Sequence, residues 1–157
     1  MLEIRNAEPR DFYFVTSVID VWWGGRQMRD MLPKLFFVHF RDTSFIAEAD
    51  GQIVGFLNGF FSQTFSDEAY IHFVGVHPDY RKHSIARALY EKFFAVTHAH
   101  GRNIVRCVTS PVNKTSIAFH LRMGFEIEQG DAIQDGISVH TNYDGKGESR
   151  VLFVKKL

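Results

Sequence analysis

The chain has 157 residues, of which 45% are hydrophobic and 15% aromatic, so it can bury a core and is not expected to be disordered. Its 18 basic and 18 acidic side chains give a formal net charge of zero, which argues against binding to nucleic acid or to an anionic membrane. The single cysteine, Cys107, excludes an internal disulfide and a zinc site built from several cysteines. We expect one cytoplasmic domain over residues 1–157, with neither a signal peptide nor a membrane-spanning segment.

Hydrophobic spacing and turn residues divide the chain into helices and strands. Pro33 is expected to kink or split the second helix, and Asp50–Gly51 predicts a tight hairpin. Gly101 and Gly124 mark the ends of the last two helices. In chain order we predict strand 2–6, helices 11–22 and 27–40, strands 43–48, 53–61 and 68–76, helix 84–100, strand 104–109, helix 113–123, and strands 125–128 and 150–154.

The strand at residues 68–76 is largely apolar, which is typical of a strand buried on both faces. Residues 137–139 lie between the turn dipeptides Asp135–Gly136 and Asp144–Gly145 and are expected to form an extra hairpin arm. Strands and helices alternate through the middle of the chain. This alternation predicts an α/β layered domain with a mixed sheet.

A short basic loop joins the strand at residues 68–76 to the third helix. It contains Arg81 and Lys82, and Arg87 follows in the first turn of the helix. Free backbone N–H groups and the positive end of the helix dipole are expected at the same place, and together with a few cations they form a site for a polyanion. The alternative is an ordinary helix start, in which Ser84 caps the helix and the basic side chains lie in solvent.

The segment at residues 74–90 resembles the acetyl-CoA-binding motif of the GNAT N-acetyltransferases. That motif has Arg or Gln, two residues, Gly, one residue, and then Gly or Ala, and this chain has Arg81, Ser84 and Ala86 in those positions. Ser84 departs from the pattern, in which glycine lets the pyrophosphate approach the backbone. The resemblance implies a set of cofactor-binding residues on the strand end and the loop: Val74, Gly75, Val76, Arg81, Lys82, His83, Ser84, Ile85, Ala86 and Arg87.

A second stretch, residues 113–125, resembles the next helix of the same family, which starts with Asn and ends in Gly-Phe. The resemblance implies that Asn113 contacts the cofactor. Most members have a Tyr seven residues after this Asn, near the thioester sulfur, where it is often assigned as the acid for the leaving thiolate. This chain has His120 there, and the alternative for His120 is a residue that only stabilises the helix end through the dipole.

The resemblance extends over essentially the whole chain. It implies a mixed, mostly antiparallel sheet with helices on both faces, and the transfer of an acetyl group from acetyl-CoA to the amine of a small molecule or a protein. Tyr70 and His72 are the candidates for the base that deprotonates the amine, because they share one face of a strand and His72 titrates near neutral pH. The alternative for His72 is a packed histidine without a catalytic role. Trp22 to Arg26 fall in a region that lines the acceptor site in the family.

Two other functions stay open at this point. The departures at Ser84 and His120, with no carboxylate at Tyr70, would also suit an acyl-CoA-sensing module without turnover. A nucleotide-binding domain that uses residues 81–87 for phosphate is the third possibility. The eight histidines show no metal-site spacing, so we expect no metal, and Cys107 is predicted to be inert core. A homodimer is possible, because dimers are common in the family.

Overall fold

The computed structural model describes residues 1–157, except the side chains of Lys82 and His83. The predicted cofactor contacts of these two side chains therefore lie outside the described residues. The described strands are β1 Leu2–Asn6, β2 Phe45–Ala49, β3 Gln52–Phe61, β4 Glu68–Val76, β5 Ile104–Thr109, β6 Glu126–Ile127, β7 Ala132–Gln134, β8 Ile137–Val139 and β9 Val151–Lys156. The described α-helices are α1 Asp11–Trp22, α2 Leu35–Val38, α3 Ile85–Ala99 and α4 Lys114–Arg122, and the described 3₁₀ helices are Arg29–Met31, Arg41–Thr43 and Pro78–His83.

The main sheet is mixed and mostly antiparallel, as predicted. Its order is β1-β2-β3-β4-β5-β9-β6, and among the described strands only β4 and β5 pair in parallel. β7 and β8 pair separately around a turn at Asp135–Gly136, which confirms the predicted hairpin arm. The tight hairpin at Asp50–Gly51 is also confirmed, since both residues have positive φ angles, 53° and 76°, as a mirror-image turn requires.

Helices cover both faces of the sheet, which confirms the predicted fold class. On one face, α1 and α2 pack Trp22 and Phe37 into a buried cluster with Phe56 of β3. On the other face, α3 packs Phe93 into a second cluster that also contains Phe153 of β9. Each helix therefore buries one apolar stripe against the sheet, and the two clusters form the core.

The second predicted helix is split at Pro33, as expected: a single 3₁₀ turn, Arg29–Met31, comes before the proline and the short α-helix α2 comes after it. Pro33 has no backbone N–H and so cannot continue a helix that comes before it. Ahead of it, Asp20 of α1 accepts hydrogen bonds from the backbone N–H groups of Met28 and Arg29 at 2.8 and 3.0 Å. These bonds hold the segment after α1 in place across the sheet, where the Met31 carbonyl lies 2.6 Å from Nε2 of His72 in β4.

β4 contains a bulge at His72. Its register with β3 shifts between Asn58 and Gly59, which leaves His72 as the extra residue of β4. Ile71 belongs to the cluster on the α3 side, whereas both His72 and Phe73 contact aromatic rings on the α1 side. The bulge therefore turns two consecutive side chains toward the same face of the sheet.

β4 and β5 pair only over Glu68–Tyr70 in the described chain and then separate. Arg106 of β5 lies opposite Tyr70 at the last paired position, donates to Glu68 at 2.8 Å and also forms an ion pair with Glu128. Beyond this point a cleft opens between the two strands. The prediction that β4 is buried on both faces is wrong: its residues alternate between buried and half-buried, because half-buried members such as His72 line the cleft.

Candidate active site

The cleft between β4 and β5 has a volume of 820 Å³. On its β4 side, the backbone over residues 71–76 has no strand partner from β5 within the described chain, since the pairing ends at Tyr70. The N–H and C=O groups on that edge can therefore bind an extended ligand. The cleft brings together five of the predicted site residues: Tyr70, His72, Val74, Asn113 and His120.

Gly75 belongs to the same strand, and its lack of a side chain has a packing reason. A Cβ atom at this position would lie 2.5 Å from the ring of Phe56 on the α1 side. Any larger residue would push β4 away from β3 and shift the free edge of the strand. Gly75 therefore fixes the position of the β4 backbone, and its own contact with a ligand could come only from backbone atoms.

The predicted phosphate loop follows β4 in the chain, and none of residues 81–87 is among those that line the cleft. Ser84 has a left-handed backbone conformation, with φ 58° and ψ 27°, which glycine adopts without strain. Its hydroxyl makes no capping hydrogen bond in the part of the chain that the structure describes, so the alternative in which Ser84 caps the helix is not supported. Ser84 thus holds a backbone conformation that suits a glycine, the residue that the family pattern has at this position.

The other described members of the loop differ in what their side chains can do. Arg81 donates a hydrogen bond to the backbone carbonyl of Trp22 at the end of α1. Ile85 is 2% exposed and packs in the core, so its predicted cofactor contact could come only from backbone atoms. Ala86 is half-buried, and Arg87 is exposed beside Glu91 at 3.9 Å. Arg87 therefore remains available to a phosphate group.

His120 is buried in the wall of the cleft, with 5% of its surface exposed. Its ring stacks on Phe153 at a centroid distance of 4.6 Å. Its Nδ1 atom lies 2.7 Å from the backbone carbonyl of Ser116, and its Nε2 atom lies 2.8 Å from the hydroxyl of Tyr90. Burial lowers the pKa of His120 to about 4, so the imidazole is neutral at neutral pH.

Tyr90, which sequence reasoning missed, also lines the cleft. It lies on α3 with 1% of its surface exposed, and burial raises the pKa of its phenol well above the usual value. In the sequence it falls beside Leu89 on the apolar stripe of the helix and is easily read as core. Its residue type could have marked it in the sequence, because the hydroxyl of a buried tyrosine needs a hydrogen-bond partner that a phenylalanine does not need.

His72 occupies the opposite wall of the cleft. Its ring stacks on Phe36 at 4.5 Å with the ring planes only 4° apart. Its Nε2 atom lies 2.6 Å from the Met31 carbonyl, which can only accept, so Nε2 carries the hydrogen and Nδ1 holds a lone pair. Burial lowers the pKa of His72 below its usual value, with the hydrogen bond to Met31 acting in the opposite direction.

Tyr70 lies two residues earlier and stacks on Phe60 at 5.3 Å. Burial raises the pKa of its phenol, so Tyr70 stays protonated and is poorly suited to act as a base. Cys107 of β5 also lines the cleft but is 4% exposed, and burial raises the pKa of its thiol. A protonated, buried thiol is a poor nucleophile.

The end of the cleft near α1 is aromatic and carries charges of both signs. Trp23 packs on Phe73 at 4.9 Å, and Arg26 lies at the rim. On the other side, Arg150 donates to Asp144 at 2.9 Å and to Glu148 at 3.1 Å. Trp23 and Arg26 come from the segment after α1 that the resemblance implies for the acceptor site, whereas Asp144, Glu148 and Arg150 come from the segment after β8.

The described residues form neither a metal site nor a membrane-spanning helix. No group of three or more histidine, cysteine, aspartate or glutamate side chains in the described part of the chain is placed to hold a metal ion. Within the same residues, every helix is too short or too polar to cross a membrane.

The sequence matches the Acetyltransferase (GNAT) family over residues 2–125. An uncharacterized N-acetyltransferase of Methanocaldococcus jannaschii is 35% identical over 89 residues, which cover 54% of this chain and 39% of that protein. The chain thus spans well under half the length of this curated relative.

Solved structures with the same fold cover nearly the whole chain. Diaminobutyrate acetyltransferase from Paenibacillus lautus, in complex with L-2,4-diaminobutyric acid and coenzyme A, is 24% identical with a TM-score of 0.72, covering 98% of this chain and 93% of that one. Ard1 from Thermoplasma volcanium is 19% identical with a TM-score of 0.79, covering 99% and 97%. The family match and the shared fold confirm the resemblance found in the sequence, and the chain belongs to the GNAT family of acetyltransferases.

Proposed function

We propose that this protein transfers the acetyl group of acetyl-CoA to an amine. The observation that carries the proposal is the free backbone edge of β4 over residues 71–76, which faces a cleft of 820 Å³ in a chain of the GNAT family. An extended pantetheine arm can bind such an edge as an added strand does, and a backbone N–H there can polarise a thioester carbonyl.

The described residues fit acetyl-CoA, which supplies an acetyl group activated as a thioester. The backbone of Val74, Gly75 and Val76 would hold the pantetheine arm. The loop from Arg81 to Arg87 would hold the pyrophosphate at the start of α3, with the left-handed Ser84 keeping the turn that a phosphate cradle uses. Asn113 lines the cleft, and its side-chain oxygen accepts from the backbone N–H of Ser116 at 3.1 Å, which fixes the start of α4.

His72 is the base in this proposal. An alkyl amine has a pKa of about 10.4, so almost all of it is protonated at neutral pH and a proton must be removed before attack. Nδ1 of His72 has a lone pair, no partner among the described groups, and a place in the cleft wall. Because the pKa of His72 is lowered, this atom stays unprotonated at neutral pH.

The acceptor binds at the aromatic end of the cleft, beside Trp23 and Phe73. Indole and phenyl faces attract an ammonium group, and the mixed charges at the rim leave both a small amine and a peptide amine as acceptors. The related diaminobutyrate enzyme, solved with a small diamine, favours testing small amines first. A homodimer, a cytoplasmic location and the absence of nucleic-acid partners stay predictions.

The proposal is tested with a screen of amines, including L-2,4-diaminobutyrate, other diamines and short peptides, by following the free thiol released from acetyl-CoA. We expect some amine to raise thiol release well above the rate in its absence, and CoA to raise the melting temperature. CoA binding without turnover by any amine would support the acyl-CoA-sensing alternative. Binding of ATP or NAD that competes with CoA would support the nucleotide-binding alternative instead.

A further inference from the structure

The C-terminal end of α1 is completed by a side chain of the predicted phosphate loop. A helix ends with four carbonyl groups that have no partner inside it. The N–H groups just after α1 donate to three of them: Trp23 to Ile19 at 3.0 Å, Gly25 to Asp20 at 2.8 Å and Gly24 to Val21 at 3.1 Å. The fourth carbonyl, that of Trp22, accepts a hydrogen bond from the guanidinium of Arg81, 59 residues further along the chain.

The local chain has already used the groups that could have served the Trp22 carbonyl. Gly24 and Gly25, with positive φ angles of 71° and 86°, turn the chain back so that their N–H groups bind earlier carbonyls. The next N–H group, that of Arg26, donates to Trp23 at 3.4 Å. The last turn of the helix reads Ile-Asp-Val-Trp and supplies no basic side chain of its own. A cation from another element is therefore a favourable partner for this negative end of the helix dipole.

A second contact joins the same two places. The indole of Trp22 is 4% exposed, and it meets the ring of His77 edge-on at a centroid distance of 5.5 Å. His77 directly follows β4, and its Nδ1 atom accepts from the backbone N–H of Asp79 at 3.1 Å, which caps the 3₁₀ helix that contains Arg81. The predicted phosphate loop is thus tied to the end of α1 through a ring at its start and through the Arg81 guanidinium.

The residues that follow Trp22 form the acceptor end of the cleft. Trp23, the next residue, packs on Phe73 at 4.9 Å. Further along the same segment, the Met31 carbonyl accepts from Nε2 of His72 at 2.6 Å and so orients the proposed base. A shift of the backbone at Trp22 would therefore move the aromatic wall beside the amine.

We propose that Arg81 is a positioning residue for the acceptor end of the cleft and acts through the Trp22 carbonyl. The inference rests on the proposed acetyl transfer. A guanidinium has five N–H donors, and Arg81 is exposed apart from this half-buried bond, so its other donors can still reach a pyrophosphate. The affinity for the amine then depends on a side chain that the sequence motif assigns to the cofactor alone.

The first test uses two acetyl donors, acetyl-CoA and S-acetylpantetheine, which lacks the pyrophosphate. Arg81→Met keeps the apolar stem and removes the donors. With the amine that gives the fastest thiol release in the screen, we expect KM for the amine to rise about fivefold with either donor and kcat to stay within twofold. Arg81→Lys, which keeps a charged donor of similar reach, should restore most of the affinity. An amine KM that is unchanged with S-acetylpantetheine would show that Arg81 serves only the pyrophosphate and would overturn the proposal.

The matched control is Arg41→Met. Nε of Arg41 donates to the backbone carbonyl of Ala7 at 2.8 Å, a bond of the same kind, and Arg41 lies outside the residues that line the cleft. We expect Arg41→Met to lower the melting temperature and to leave KM for the amine unchanged with both donors. An equal rise of KM in this variant would mean that loss of stability alone loosens the acceptor site, and the specific role of Arg81 would be lost.

The second test measures hydrogen exchange in the enzyme without ligands and does not depend on turnover. The amides of Gly24 and Gly25 are protected only while the end of α1 holds its shape. We expect Arg81→Met to speed their exchange about fivefold, Arg81→Lys to restore it, and Arg41→Met to leave it unchanged.

Three results of these tests are decisive. Unchanged exchange at Gly24 and Gly25 in Arg81→Met would overturn the link between the loop and α1. Faster exchange with an unchanged KM for the amine would reduce Arg81 to a stabiliser of the helix end and would overturn its positioning role. If the wild type acetylates no amine, the proposed function fails, while the exchange measurement still decides whether Arg81 holds the end of α1.

Discussion

Two histidines in the same cleft have nearly matching surroundings and different chemistry. His72 and His120 each stack on a phenylalanine, at 4.5 and 4.6 Å, and each donates one ring N–H to a backbone carbonyl. The difference lies in the second nitrogen: that of His120 accepts from the Tyr90 hydroxyl, while that of His72 has no partner among the described groups. We therefore expect the remaining lone pair, more than burial or stacking, to decide which histidine can take a proton from a substrate.

The largest expected effect comes from removing the free lone pair on Nδ1 of His72. His72→Phe keeps an aromatic ring for stacking on Phe36 and removes the base, so we expect kcat/KM for the amine to fall about 100-fold at pH 7. The affinity for CoA should not change, because His72 is placed at the amine. Steady-state rates and CoA titration on the same preparation measure the two quantities.

The loss in His72→Phe should shrink at high pH, where the amine loses its proton to solvent without help. A variant that is equally impaired at pH 7 and pH 10 would show that His72 shapes the acceptor site and does not act as a base. In the wild type the base must be unprotonated, and the pKa of His72 is lowered, so the rate should fall only on the acid side, below about pH 6.5.

The second effect concerns stability and His120. This imidazole has a pKa of about 4 in the folded protein and about 6.5 when unfolded, so the unfolded chain binds more protons between these values. The free energy of unfolding should therefore fall by about 2 kcal/mol from pH 7 to pH 5 on account of His120 alone. Urea unfolding at both pH values measures it.

The matched variant for this prediction is His120→Gln, which keeps an acceptor for Tyr90 and does not titrate. Between pH 7 and pH 5, we expect its free energy of unfolding to fall by about 2 kcal/mol less than that of the wild type. The lowered pKa of His72 acts in the same direction, and His72→Phe should remove a further part of the pH dependence. If His120→Gln follows the wild-type pH curve, His120 is not the buried neutral group described here.

The smallest effect is expected at Ser84, which touches neither histidine. Its backbone is left-handed, so Ser84→Gly removes the strain of a side chain at φ 58° and should stabilise the protein by about 1 kcal/mol. The affinity for CoA should stay within a few-fold of the wild-type value. The pH dependence of the rate and of the free energy of unfolding should be unchanged. Destabilisation by glycine would show that the Ser84 hydroxyl stabilises the loop in a way that the backbone does not explain.

Most of the fold could be predicted because its signals are local. The turn at Asp50–Gly51, the glycine stop at Gly101 and the apolar spacing of α3 each depend on neighbours in the sequence, and each is confirmed. The split of the second helix at Pro33 is confirmed too, but the α-helix predicted before Pro33 is only a 3₁₀ turn, Arg29–Met31, for the opposite reason. Its path depends on Asp20, eight and nine residues before the backbone groups that it binds, and helical spacing carries no sign of such a bond.

The candidate site divides in the same way. The position of the predicted phosphate loop follows from a motif contained in one stretch of chain, and its binding role stays a prediction, while Ser84 has a left-handed backbone. The pair of Tyr90 and His120 joins residues 30 positions apart on two helices, so neither its hydrogen bond nor the tautomer of His120 can be derived from spacing. Residue types alone therefore locate His120 without giving its chemistry.

The bulge at His72 means that the number of residues in β4 matters as much as which residues they are. Side chains alternate along a strand, and the extra residue restarts the alternation, so Tyr70 and Val74 point to opposite faces although they are four residues apart. Deleting one residue here would turn the first half of the strand over and move the Tyr70 side chain from the α1 side of the sheet to the α3 side. We therefore expect acceptor preference in this lineage to evolve by substitutions along β4, while insertions and deletions accumulate in the loops around it.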